Sequence, residues 1–338
     1  MAPDLHLLIL LQPAATVCSL FWYHITGIMI TRRRFILGTG ALGLSMTTGK
    51  IFARDDIIPL WPDDPPGGGG PSGQLHINST GSWSNIVSPA IQRFKPENPN
   101  GEAVLIAAGG GYRWIGMGRE AWPVARWLNA NGYTAYVLSY RLPHEKWQAG
   151  RLAPLQDAQR AIRLVRSFER KVHVLGFSAG GHLLGLAAAR PDFESYPAID
   201  PLDEVVPKVD SVGLIYPVIT LEAPYQHTNT HLMMVGKNAT PQDEANWSVQ
   251  NYVTRQYPPT FLAQAEDDHT SNPFNTELMR DTCRRNRVPV ELIQISKGGH
   301  GFGLGKAGTP AALWDQAYVK WLENLRQVAY LGMHDSSL

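Results

Sequence analysis

The stretch Val172-His173-Val174-Leu175-Gly176-Phe177-Ser178-Ala179-Gly180-Gly181-His182 decides the reading of this chain. A short apolar run at 172–175 suits a buried parallel strand, and an apolar helical segment at 183–189 follows. Between them stands Gly-x-Ser-x-Gly in its diagnostic context, strand before and helix after. A sharp strand-to-helix turn needs the two glycines, because bulk at 176 or 180 would clash. It also lifts the Ser178 hydroxyl out at the carboxyl end of the sheet, in front of a helix N-terminus. Ser178 is therefore the candidate nucleophile.

A serine hydroxyl needs a base, and the base needs an orienting acid. In this turn the chain order is Ser, then Asp or Glu, then His. Gly298-Gly299-His300-Gly301-Phe302-Gly303 lies just past an apolar run at 290–295. Its glycines let His300 reach back over the sheet, which makes His300 the candidate base. The acid should follow the preceding strand at 260–265, where Glu266, Asp267 and Asp268 stand. Asp268 is preferred, with Asp267 as the alternative. Ala108-Gly109-Gly110-Gly111-Tyr112 follows the first strand of the pattern, at 103–107. Backbone N–H groups of Gly110 and Gly111, with that of Ala179, would form an oxyanion hole. The glycine spacing does not fit a dinucleotide loop, and no Lys-Ser/Thr follows for a phosphate loop.

Outward from these motifs, strand-like runs at 134–138 and 211–216 alternate with helical patterns around 124–128, 155–168, 274–285 and 311–328. That alternation predicts an α/β architecture, a mostly parallel sheet with helices on both faces. The 338 residues carry 30 basic and 29 acidic side chains, a formal charge of +1, so no basic excess exists to neutralise nucleic acid. Two cysteines, Cys18 and Cys283, cannot build a disulfide framework or a four-cysteine zinc site.

Together these segments resemble the serine esterases of the α/β-hydrolase fold. The likeness is strongest to the bacterial group containing acetyl xylan, feruloyl, pectin acetyl and related carbohydrate esterases. It covers roughly residues 60–325. It rests on Gly109-Gly110-Gly111-Tyr112, Pro123-Val124-Ala125 to Trp127-Leu128, Tyr140-Arg141, Asp157 with Arg160-Ala161-Ile162, and Gly176 to His182. Pro258 to Leu262 and Gly298 to Gly303 extend it. Two positions depart from the group: Ala108 stands where His or Pro is frequent, and the loop from Asp268 to Pro273 is one residue longer. The resemblance implies removal of acetyl or another small acyl group from cell-wall carbohydrate such as xylan or pectin fragments. It implies no metal or cofactor. Tyr112 and Trp114, beside the oxyanion turn, are then candidates for stacking on sugar. The rivals are a general short-chain or lipid esterase and a non-catalytic binding protein on the same fold.

The N-terminus reads as targeting. Thr31-Arg32-Arg33-Arg34-Phe35-Ile36-Leu37 resembles the twin-arginine export signal, with Leu37 in place of Lys, a weakly apolar stretch after it and a cut after Ala53. The expected division is an N-terminal extension at 1–28 with the true start at Met29, a signal at 29–53, a Pro/Gly-rich arm at 54–73 and the hydrolase domain at 74–330. The partners are then an acylated oligosaccharide or small ester and the twin-arginine export machinery, and the destination is periplasmic or secreted. If 5–30 is a real span, the protein is membrane-anchored instead. The sequence is silent on oligomeric state. Elsewhere, His227 and His231 are spaced for a helix but sit in loop-favouring sequence. His173 and His182 read as packed residues, Asp157 and Arg160 as a structural ion pair, and Cys283 as a buried thiol.

Overall fold

The computed structural model describes residues 56–335, with side chains to 328. The segments expected at 1–28 and 29–53 lie outside the described residues, as does the start of the arm. Among the described residues, no helix is long and apolar enough to cross a membrane.

The apolar runs become the middle of an eight-stranded sheet. In chain order the strands are β1 (Ile57–Pro59), β4 (Ala90–Phe94), β5 (Ala103–Ala107), β6 (Thr134–Ser139), β7 (Val172–Phe177), β8 (Ser211–Ile215), β9 (Thr260–Ala265) and β10 (Val290–Ile295). Spatially the order is β1-β4-β6-β5-β7-β8-β9-β10, antiparallel at β1–β4 and β4–β6 and parallel from β6 onward. A separate hairpin, β2 (His76–Ile77) with β3 (Trp83–Ser84), precedes β4.

Every residue of β5, β7, β8 and β9 is buried. Successive strand side chains point to opposite faces, so both faces of the sheet are covered. Helices α1 (Trp122–Ala130), α2 (Ala153–Phe168), α3 (Ala179–Ala189), α6 (Phe274–Arg285) and α7 (Trp314–Asp335) supply the cover, with α4 (Asn229–Met234) and α5 (Pro241–Asn246) between β8 and β9. Helix α2 packs on α3. Trp127 of α1 meets Trp314 and Tyr318 of α7, with ring centres 5.8 and 6.3 Å apart. The order places β5 and β7 side by side, so the loops leaving their carboxyl ends face each other. That is where the glycine turn and the Ser178 turn lie.

Four expectations are corrected. The Pro/Gly-rich arm is not wholly a linker: Ile57–Pro59 pairs with β4, and Pro59, which lacks an N–H, is tolerated at an edge. Strand β4 passed unnoticed because Gln92 and Arg93 interrupt its apolar pattern. His231 lies in helix α4 rather than a loop, capped by Thr228, and its Nε2 meets Glu244 Oε1 at 2.8 Å. The expected Asp157–Arg160 pair is absent. Asp157 instead accepts from Arg141 Nε (3.0 Å), the Arg141 backbone N–H (2.8 Å) and Trp61 Nε1 (2.8 Å), while Arg160 holds Asp200 and Asp203. Both Arg141 and Asp157 are fully buried. Burial pushes the Asp157 carboxyl up, and Arg141 is the main force opposing it. Removing one member of such a pair strands the other in a dry interior. Arg141→Leu should therefore cost about 3–5 kcal/mol in urea unfolding, whereas a loss below about 1 kcal/mol, the range of exposed pairs, would show the pair to be peripheral.

Candidate active site

Strand β7 delivers Ser178 at φ 51° and ψ −118°, a conformation L-residues rarely adopt. The glycines permit the turn sterically. A Cβ on Gly176 would stand 2.5 Å from the Gly180 carbonyl oxygen, and one on Gly180 would stand 2.1 Å from that of Ala107. The Ser178 N–H is fixed by the Ile215 carbonyl of β8 at 3.0 Å, and its carbonyl accepts from His182 N–H at 3.1 Å.

Ser178 Oγ lies 2.8 Å from His300 Nε2, and His300 Nδ1 lies 2.8 Å from Asp268 Oδ2. A carboxylate only accepts, so Nδ1 carries the proton toward Asp268 and Nε2 is left to accept from Ser178. Asp268 also accepts from Thr270 N–H, Ser271 N–H and Gln264 Nε2. Burial works against its charge, but His300 and the two N–H donors outweigh burial and hold the carboxyl below the usual range. The adjacent Asp267 has a different task. Its Oδ1 accepts from Gly298 and Gly299 N–H at 2.9 and 2.8 Å, pinning the start of the His300 loop.

The oxyanion turn faces this relay across a cleft of about 460 Å³, lined by Gly109, Gly110, Gly111, Trp114, Ser178 and His300 among others. Among the described residues, no hydrogen bond uses the N–H of Gly110 or Gly111. Ala179 opens helix α3, so its N–H has no partner within the helix. Gly109 is excluded from that set, because its N–H donates to Glu120 Oε2 at 2.6 Å.

Trp114, 39% exposed, lines the cleft as expected. Tyr112 does not. It is fully buried, and its OH donates to His182 Nδ1 at 2.9 Å while His182 Nε2–H donates to the Trp247 carbonyl at 2.7 Å. Burial keeps His182 neutral by lowering its pKa to about 4. Tyr112 is thus a packing residue under the oxyanion turn, and the sugar-stacking role expected for it is corrected. Its φ of 59° is what turns the ring inward. Among the described residues, no group of three or more His, Cys, Asp or Glu could hold a metal.

Two residues central to the site escaped the sequence reading. Glu120, in a π-helical turn at Met117–Ala121, is buried, and its Oε1 accepts from Tyr216 OH at 3.0 Å. Tyr216 OH in turn accepts from Gly303 N–H at 3.0 Å, and its ring packs edge-on to His300 with centres 5.1 Å apart. Glu120 thereby ties the oxyanion turn to the His300 loop. Burial pushes its carboxyl up, against the pull of Gly109 N–H and Tyr216 OH. The only sequence signal was an acid among glycines and apolar residues shortly after the glycine turn.

This geometry defines a protein of the α/β-hydrolase fold. Residues 94–282 match the BD-FAE family, and the chain belongs to it. It is similar to an acetylxylan esterase of Xylanibacter ruminicola, 30% identical over 223 residues, which make up 63% of this chain and 43% of that protein. It is also similar to endo-1,4-β-xylanase B of Butyrivibrio fibrisolvens, 28% identical over 59% of this chain and 32% of that one. The chain thus spans less than half the length of these curated relatives. Among solved structures it resembles an acetyl ester-xyloside bifunctional hydrolase from Caldicellulosiruptor lactoaceticus. The TM-score there is 0.66, with 30% identity over 82% of this chain and 98% of that one.

Glu120→Gln keeps the shape but replaces one acceptor oxygen with an NH2 group, so Gly109 N–H or Tyr216 OH is left unsatisfied. A stranded buried donor costs about 1–3 kcal/mol. Labelling of Ser178 by a fluorophosphonate should slow by about tenfold in this variant. Labelling at the unaltered rate would show that Glu120 does not position the site.

Proposed function

We propose that the protein is a serine esterase that removes acetyl or other small acyl groups from cell-wall carbohydrate such as xylan or pectin fragments. The observation that carries this reading is the Ser178–His300–Asp268 relay facing unused N–H groups across one cleft. Ser178 Oγ attacks the ester carbonyl as His300 Nε2 takes its proton. N–H groups of Gly110, Gly111 and Ala179 hold the negative oxygen of the tetrahedral intermediate. Asp268 keeps His300 in the working tautomer and stabilises the imidazolium. His300 then gives that proton to the sugar oxygen as its bond to the acyl carbon breaks, so the sugar leaves with a free hydroxyl, and water, activated by the same base, releases the acyl group from Ser178.

The cleft walls favour a sugar over a lipid. Asn78, Thr80, Ser82, Thr228 and Thr230 supply polar groups, while Val218 and Trp114 supply apolar side chains. Each buried methylene of a longer acyl chain is worth about 0.8 kcal/mol only where an apolar groove receives it. The names of the relatives, an acetylxylan esterase and an acetyl ester-xyloside hydrolase, support the same substrate class.

The test compares kcat/KM for p-nitrophenyl acetate, butyrate and octanoate with acetate release from acetylated xylo- and galacturono-oligosaccharides. Acetate should be preferred over octanoate. Ser178→Ala should lose roughly four to six orders of magnitude in kcat while remaining folded. A maximum at octanoate with no acetate from any oligosaccharide would replace this reading with a lipid esterase.

We further propose export by the twin-arginine route, on the motif at Thr31 to Leu37. Replacing Arg32 and Arg33 together with Lys should leave full-length precursor in the cytoplasm of a bacterial host, by fractionation and immunoblot. Export at the normal rate would reject the motif.

A further inference from the structure

The cleft carries a cation that the reaction does not use. Arg119 lines it beside His300 and Gly301, with Nη1 3.5 Å from where a Cβ on Gly301 would stand. Its side chain is exposed. Among the described residues, its guanidinium has no ion-pair partner and no side-chain hydrogen bond. Among the described residues, Glu120 is the one carboxylate that lines the cleft, and each of its oxygens accepts a hydrogen bond, from Gly109 N–H and from Tyr216 OH. A second guanidinium stands against the cleft residue Trp114. Arg113 lies 5.6 Å from the centre of the Trp114 ring and has no acidic partner among the described residues. The segment between the oxyanion turn and α1 therefore presents an exposed guanidinium to the cleft at Arg119, within electrostatic reach of the buried Glu120 but without a salt bridge to it, and a second one, Arg113, against Trp114.

We propose that Arg119, with Arg113 against Trp114, binds the carboxylate of an acidic sugar, so that the preferred substrate is an acylated oligosaccharide carrying a uronic acid. This inference rests on the esterase reading. A planar guanidinium matches a carboxylate through two parallel N–H donors, a geometry that a neutral sugar ring does not require. Asn78, Thr80 and Ser82 on the β2–β3 hairpin present polar groups for the remaining sugar hydroxyls. A carboxylate on the sugar and the acyl carbonyl at Ser178 can then be held from one stretch of chain, from the N–H groups of Gly110 and Gly111 to Arg119, and the acyl group is brought to Ser178 in a fixed register. Because Arg119 is exposed, its contribution is that of a partly solvated pair and is sensitive to salt.

The test uses the full chain and a matched pair of substrates, an acetylated galacturonate oligosaccharide and the same compound with its carboxyl groups converted to amides, with acetate release as the readout. The wild type should favour the acid by about five- to tenfold in kcat/KM at low salt, mainly through KM, and the preference should shrink as ionic strength rises. Arg119→Gln should bring the ratio near one, and Arg119→Glu should push it below one. Circular dichroism and thermal melting verify that each variant is folded. A wild-type ratio at or below one overturns the inference, as does a ratio that survives substitution of both Arg119 and Arg113. Turnover of p-nitrophenyl acetate by a wild type that releases acetate from neither oligosaccharide also overturns it and leaves the esterase chemistry standing. A wild type that cleaves no ester at all removes the esterase reading and this inference together.

Discussion

The close approach of Gly180 to the Ala107 carbonyl is the contact on which the rest of the site depends. Helix α3 begins so tightly against the end of β5 that a single methyl group at position 180 would overlap backbone. That proximity forces Ser178 into its left-handed conformation and brings the start of α3 beside the glycine turn that follows β5. The unused N–H groups of both elements consequently face one small volume. A looser turn would separate the Ser178 hydroxyl from these N–H groups by distances that side chains cannot make up, since the donors are backbone atoms with no freedom to reach.

The opposite wall depends on two neighbouring carboxylates with separate duties. Asp268 sits under His300 and sets its proton, while Asp267 holds the two N–H groups that begin the loop. The loop's position and its chemistry are thus anchored independently. Glu120 and Tyr216 then join this wall to the oxyanion turn through a chain of hydrogen bonds from Gly109 to Gly303. The loops leaving three strands, β5, β8 and β10, are thus clamped together by side chains beyond the end of the sheet.

What could be read from the sequence was what local rules govern. The Ser178 turn follows from glycine sterics within five residues, and the order Ser, Asp, His follows from the topology of a parallel sheet. The choice between Asp267 and Asp268 stayed open because adjacent loop residues differ only in where the backbone points them, and the structure places Asp268 on His300. Glu120 was not legible: its partners lie 11 and 96 residues away. Tyr112 was misread for a related reason. Adjacency to the turn said nothing about φ at that residue, and a positive φ sent the ring into the core. The Arg141–Asp157 pair defeated the helical spacing rule because a loop arginine, itself buried, outbid a residue one turn along the helix. Strand β1 was not legible because an edge strand needs less apolar pattern than a buried one, and β4, an inner strand, because Gln92 and Arg93 interrupt its apolar run.

The hairpin at His76–Ser84 gives the molecule a division of labour along its chain. Its residues Asn78, Thr80 and Ser82 line the cleft, and Trp83 is bridged to Ile115 by two backbone hydrogen bonds of 2.8 Å. Yet the hairpin precedes residue 94, where the family match begins. That part of the cleft wall is therefore carried by a segment that precedes the family match and is bridged to the site through backbone atoms, which any sequence can provide. Such a segment can be rewritten residue by residue, and with it the shape and polarity of the cleft, without disturbing one atom of the relay.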